Sequence, residues 1–213
     1  WDVETSKSLH IFNGHEKGVW CVDISPLQSN NNNGNNNNIG MIGGNGYTIC
    51  SGSLDKTIQI WDIETTKQII VLKRHTNYVW SVKYGSNKLI NTILSGSQDK
   101  SVRLWDIRSG EQIQVFNGHT SIVWSVEYSP FVIQNNSDNS NVICSGSLDN
   151  TIRFWDIRSN KKELYVMRVD NGVFCIKFIE SKKKVNNSEQ KLNGNSFVNL
   201  CYGSYKGLVC VWG

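Results

Sequence analysis

Leu94-Ser-Gly-Ser-Gln-Asp99-Lys-Ser-Val-Arg-Leu-Trp105-Asp106 decides the fold of this chain, because its pattern occurs three times. It returns without gaps at Cys50-Ser-Gly-Ser-Leu-Asp55-Lys-Thr-Ile-Gln-Ile-Trp61-Asp62 and at Cys144-Ser-Gly-Ser-Leu-Asp149-Asn-Thr-Ile-Arg-Phe-Trp155-Asp156. Upstream of each lies a second block: Gly14-His15-x-x-x-Val19-Trp20, Arg74-His75-x-x-x-Val79-Trp80 and Gly118-His119-x-x-x-Val123-Trp124. A fourth, worn copy runs from Val173-Phe174 to Val211-Trp212-Gly213. Repetition of this kind means that one unit cannot bury its apolar face alone and that stacked neighbours build the core.

Each copy reads as four short strands. In the third, Gln112–Phe116, Val123–Tyr128 and Thr151–Trp155 alternate apolar and polar residues, and Val142–Ser145 is apolar. Ser-Gly-Ser-Leu-Asp-Asn supplies the turn before the last strand. Units of roughly 40–45 residues marked by Gly-His and Trp-Asp resemble the WD40 (transducin beta-like) β-propeller family.

The resemblance implies an all-β fold of four sequence repeats, each of four antiparallel strands, forming part of a larger, seven-bladed propeller. The whole chain, 1–213, then reads as a partial propeller with units at about 7–62, 66–106, 111–156 and 163–213. Lys7–Phe12 reads as an outermost strand that completes the blade of a preceding repeat, or pairs with the last copy. Inserts at 28–46, 131–141 and 180–196 are Asn-, Gly- or Lys-rich. They cannot bury enough apolar area to offset ordering entropy, and are expected to be disordered loops on one rim of the disc.

Three sets of Ser, His and Asp invite a reading as catalytic triads: His15/Ser51/Asp55, His75/Ser95/Asp99 and His119/Ser145/Asp149. A catalytic centre is built once, whereas these recur with each unit, and no Gly-x-Ser-x-Gly elbow accompanies them. The family resemblance implies a buried relay instead, with Trp61, Trp105 and Trp155 donating to the serines, the serines to the histidines, and the histidines to the aspartates. The fourth copy has Val169 in place of the His, Tyr202 in place of the Ser and Lys206 in place of the Asp, and keeps only Trp212. Its blade is therefore expected to be the least stable.

With the inserts on one rim, the family pattern places partner-binding positions on the other: Gly18, Trp20, Tyr78, Trp80, Ile122, Trp124, Gly172 and Phe174, with Leu54, Gln98, Leu148 and Tyr205 at the turns. Aromatic residues dominate this set, and such residues make binding hot spots. Trp105-Asp106-Ile107-Arg108 and Trp155-Asp156-Ile157-Arg158 are similar to the box by which substrate receptors of cullin–RING ubiquitin ligases dock on their adaptor. Arg108 and Arg158 are candidate contacts for it.

The formal charge of +4 is spread along the chain, so neither nucleic acid nor membrane is expected as a partner. The six cysteines sit in apolar runs without C-x-x-C spacing and read as reduced core residues of a cytoplasmic or nuclear protein. The expectation is a non-enzymatic scaffold for peptides or proteins, with no cofactor and no metal. The alternatives are a ubiquitin-ligase substrate receptor and the regulatory propeller of a larger signalling ATPase or enzyme.

Overall fold

In the computed structural model, the described residues are 10–25, 47–85, 89–130, 142–159, 163–181 and 197–213. They form four antiparallel sheets with no α-helix among them. Blade 1 is β1 (Val19–Ile24), β2 (Thr48–Ser53), β3 (Ile58–Asp62) and β4 (Gln68–Leu72), in that spatial order. Blade 2 follows as β5 (Val79–Tyr84), β6 (Thr92–Ser97), β7 (Ser101–Asp106) and β8 (Gln112–Asn117). Blade 3 is β9 (Val123–Tyr128), β10 (Val142–Ser147), β11 (Thr151–Asp156) and β12 (Glu163–Arg168). Blade 4 has three strands, β13 (Val173–Ser181), β14 (Phe197–Ser204) and β15 (Val209–Trp212).

The inner strands β1, β5, β9 and β13 pack in succession, so the blades stand side by side around an arc. The core therefore lies between sheets. Period-2 alternation sends Ile58 and Ile60 to one face of β3, where they meet Val79, Val82, Ile93 and Trp105 of blade 2. Leu94, Val102, Leu104 and Phe116 meet Val123, Val126, Ile143 and Trp155 in the next layer. Cys144, Ile152 and Phe154 meet Val173, Ile176 and Leu200 in the third. Each fully buried aliphatic side chain contributes about 1.5–3 kcal/mol. The glycine of Ser-Gly-Ser makes this approach possible, because a Cβ on Gly96 would lie 2.8 Å from Val123 Cγ1.

Polar bonds also cross between blades. Thr48 Oγ1 and the Tyr84 hydroxyl are 2.8 Å apart, as are Thr92 Oγ1 and the Tyr128 hydroxyl. Burial raises both phenols above their ordinary range.

Several expectations need correction. Of Lys7–Phe12, only His10–Phe12 is described, and it lies in no strand; Phe12 instead sets its ring 5.8 Å from Trp61. The insert expected over 180–196 starts later, because Glu180 and Ser181 continue the ladder of β13 opposite Val198 and Phe197. Backbone pairing needs no apolar side chain, so composition misplaced that boundary. The inserts at 28–46 and 131–141, and residues 182–196, lie outside the described residues. All six cysteines are free, but only Cys50 and Cys144 are buried, and Cys175 is exposed. Among the described residues, no helix is long and apolar enough to cross a membrane.

Candidate functional site

The first strand of every blade carries one extra residue against its partner. Val19 pairs with Ser53 and Cys21 with Gly52, which leaves Trp20 as the bulge. Trp80 lies between Val79 and Ser81 in the same way, Trp124 between Val123 and Ser125, and Phe174 between Val173 and Cys175. A bulge leaves its extra residue out of the ladder and re-aims the side chain. Here it takes four aromatics out of the alternation that buries their neighbours.

These rings meet. Centroids are 4.7 Å apart for Trp20–Trp80, 4.3 Å for Trp80–Trp124, 5.1 Å for Trp124–Phe174 and 5.6 Å for Phe174–Tyr205. Tyr78 stands 6.0 Å from Trp80. Trp20 and Phe174 are exposed and Tyr205 is more so, while the indole N–H groups of Trp80 and Trp124 are buried without an acceptor. Edge-to-face and tilted contacts at these distances suit aromatic quadrupoles. The result is a continuous ladder that crosses all four blades.

Backbone bonds fix its support. The amides of Leu54, Gln98, Leu148 and Tyr205 donate to the carbonyls of Gly18, Tyr78, Ile122 and Gly172 at 2.8–3.0 Å. Every position expected on the partner-binding rim is thus tied into one layer. Ile122 joins it through its carbonyl and not through a ring contact.

Beneath the ladder, each of the first three blades holds a closed polar set. Trp61, Trp105 and Trp155 donate from Nε1 to Ser51, Ser95 and Ser145 at 2.8, 2.8 and 2.9 Å. The serine Oγ atoms lie 2.7–2.8 Å from Nε2 of His15, His75 and His119. The Nδ1 atoms lie 2.7–2.8 Å from Asp55, Asp99 and Asp149. All three serines are buried.

Sequence reading missed a fifth member. The hydroxyls of Thr57, Ser101 and Thr151 donate to the other aspartate oxygen at 2.6–2.7 Å. The signal was a hydroxyl two residues after each turn Asp, which becomes Leu208 in blade 4. Burial alone would raise the Asp55 carboxyl, but bonds from Thr57, His15 and the Glu16 amide outweigh it and bring it to about 2. Asp99 and Asp149 are likewise held below the usual carboxylate range, mainly by His75 and by His119 with Thr151.

Arg108 and Arg158 lie at the turns after β7 and β11, on the rim opposite the ladder. The Arg108 amide donates to Asp106 Oδ1 at 2.8 Å, and Arg158 Nε lies 3.4 Å from Asp156 Oδ1. Among the described residues, no cluster of His, Cys, Asp and Glu could hold a metal ion.

Blades of four strands, or three in blade 4, stacked through their faces and each with an aromatic bulge on its inner strand, define a β-propeller segment. Three stretches, 6–62, 66–106 and 110–156, match the family described as "WD domain, G-beta repeat", and the chain belongs to that WD40 family. Domains of this family are generally non-catalytic and protein-binding, which supports a protein-interaction scaffold role. The matched stretches end at Asp156, before the worn fourth copy.

Mitogen-activated protein kinase kinase kinase A of Dictyostelium discoideum is 26% identical, covering 43% of this chain and 13% of that protein. The Lissencephaly-1 homolog of Branchiostoma floridae is 37% identical over 32% of this chain and 17% of its own length. Autophagy-related protein 16 of Arabidopsis thaliana is 27% identical, with 41% of this chain and 22% of that protein covered. The chain thus spans less than a quarter of each relative. The crystal structure of the computationally designed Ika4 protein matches the fold with a TM-score of 0.62 at 22% identity, over 97% of both chains.

Proposed function

We propose that this protein is a non-enzymatic scaffold whose ligand, a peptide or a protein segment, lies along the aromatic ladder. The observation that carries this reading is the run Trp20–Trp80–Trp124–Phe174–Tyr205, continuous yet exposed at both ends. Aromatic rings combine large contact area with little rotamer entropy to lose, which is the composition of hot spots. The side chains of the ladder itself carry no charge, which suits peptide better than nucleic acid. A ligase adaptor at Arg108 and Arg158 has weaker support, since Arg158 already engages its own Asp156.

Peptides selected against the protein from a random display library test the reading. Replacing Trp20 and Tyr205 by Ala removes exposed rings and leaves the buried clusters between blades intact. The selected peptides are expected to bind this variant at least tenfold more weakly, about 1.4 kcal/mol, with circular dichroism unchanged. Equal affinity for both proteins would sink the proposal.

A further inference from the structure

The two middle rings of the ladder hold an unmet polar demand. Trp80 and Trp124 belong to blades 2 and 3, each packed between two others, and their centroids are 4.3 Å apart. Both indole Nε1 atoms are buried without an acceptor, whereas Trp61, Trp105 and Trp155 each donate to a serine. An indole N–H can only donate, and a buried donor without a partner costs free energy. Both rings are half-buried, so a turn about Cβ–Cγ carries each N–H from the closed side of its ring to the open one.

Charge around the ladder has one prevailing sign. Lys56 and Lys100 follow the turn Asp in blades 1 and 2, Lys206 stands at the turn of blade 4, and all three are exposed. Lys56 and Lys100 hold left-handed φ values of 72° and 69°. Blade 3 has Asn150 at this place, with φ 62°, and blade 4 has Gly207, with φ 78°. Asparagine and glycine adopt such geometry readily, whereas lysine meets a steric penalty. Two lysines therefore stand where the backbone favours an uncharged residue, and blade 4 keeps its lysine one position earlier. The loops that enter the inner strands add exposed Lys17, Arg74 and Arg168, against Glu16 and Asp170. Asp55, Asp99 and Asp149 are turned inward to their histidines.

We propose that the segment bound along the ladder is acidic, and that one of its carboxylates accepts hydrogen bonds from Nε1 of Trp80 and of Trp124. This rests on the ladder as the binding site and names the chemistry of what lies there. A carboxylate is acceptor-only and has an oxygen for each donor. It meets the indoles at their electropositive edges, and the rim lysines face the remaining charge of the segment.

Peptides selected against the protein from a random display library are the probe, each paired with a copy that has Asn and Gln for every Asp and Glu. The acidic form is expected to bind at least about tenfold more tightly than the amide form, and the gap should narrow as salt rises. Trp80→Phe with Trp124→Phe keeps both rings and removes both donors. It should erase most of that preference, and in the unmodified protein the acidic form should move the two indole N–H resonances that this variant lacks. Lys56→Asn with Lys100→Asn gives a second reading that does not depend on repacking the rings. That variant should melt at a higher temperature than the unmodified protein, yet bind the acidic form more weakly. Selected peptides without acidic residues, equal binding of the two forms, or an undiminished preference in either variant overturns the inference. A single-stranded oligonucleotide that binds as tightly as the acidic peptides overturns it in favour of nucleic acid. If Trp20→Ala with Tyr205→Ala loses the peptides while acidic and amide forms bind alike, the ladder stands and this inference alone falls.

Discussion

The Trp105 indole N–H donates to the Ser95 hydroxyl at 2.8 Å, joining two adjacent strands of blade 2 from within. Through His75 and Asp99 the same serine reaches the loop before β5 and the turn after β6. One buried oxygen thus sits where two strands, a loop and a turn converge. Blade 4 has Tyr202 and an exposed Trp212 at these positions, and cannot build the same junction.

Removing that oxygen should be costly. Ser95→Ala leaves the Trp105 N–H and His75 Nε2 buried without it, at about 1–3 kcal/mol for each unsatisfied group. The urea midpoint is expected to fall accordingly, with the slope unchanged. The double variant with His75→Ala should lose less than the sum of the two single losses, because the residues share one network. A loss under about 0.5 kcal/mol for Ser95→Ala, the size of an ordinary surface change, would show that the relay does not hold the blade.

Acid should loosen the same set in two stages. Burial lowers His75 below its ordinary 6.5, so the unfolded chain takes up a proton first as pH falls through that value, and stability declines. The paired carboxylates act later. Their contribution is complete above about 3.8 and is lost as pH falls toward about 2, the value for Asp55. Thermal melts between pH 8 and pH 2 should show both stages, and the first should shrink in His75→Gln. An equal decline in that variant between pH 6.5 and 5 would remove His75 as its source.

Much of this was legible because the repeat preserves spacing. Ser51, Asp55 and Trp61 keep the same offsets as Ser95, Asp99 and Trp105, so aligned copies expose the polar set before any coordinates do. The aromatic positions were legible too, but not their mechanism. Val19-Trp20-Cys21 reads as plain alternation, and only pairing with Ser53 and Gly52 reveals the bulge. Contacts between blades were hidden for another reason. Tyr84 and Thr48 are far apart in sequence, and nothing local marks either as a partner of the other.

Local strain offers the last test. Thr66 and Gly110 hold the same place in the turns after β3 and β7, with φ of 57° and 69°. Glycine adopts this left-handed geometry without steric penalty, whereas a β-branched residue meets its own backbone. The single bond gained by Thr66, from its hydroxyl to the Thr65 carbonyl at 2.7 Å, is exposed and worth little. Thr66→Gly is therefore expected to stabilise the protein by about 1 kcal/mol, net of the entropy that glycine loses on folding. For a chain of this size that is a rise of roughly 2–4 °C in Tm. Gly110→Thr should lower Tm by a similar amount, since it places the same strain in blade 2. If both substitutions leave Tm unchanged, the turn tolerates either residue and the strain argument fails.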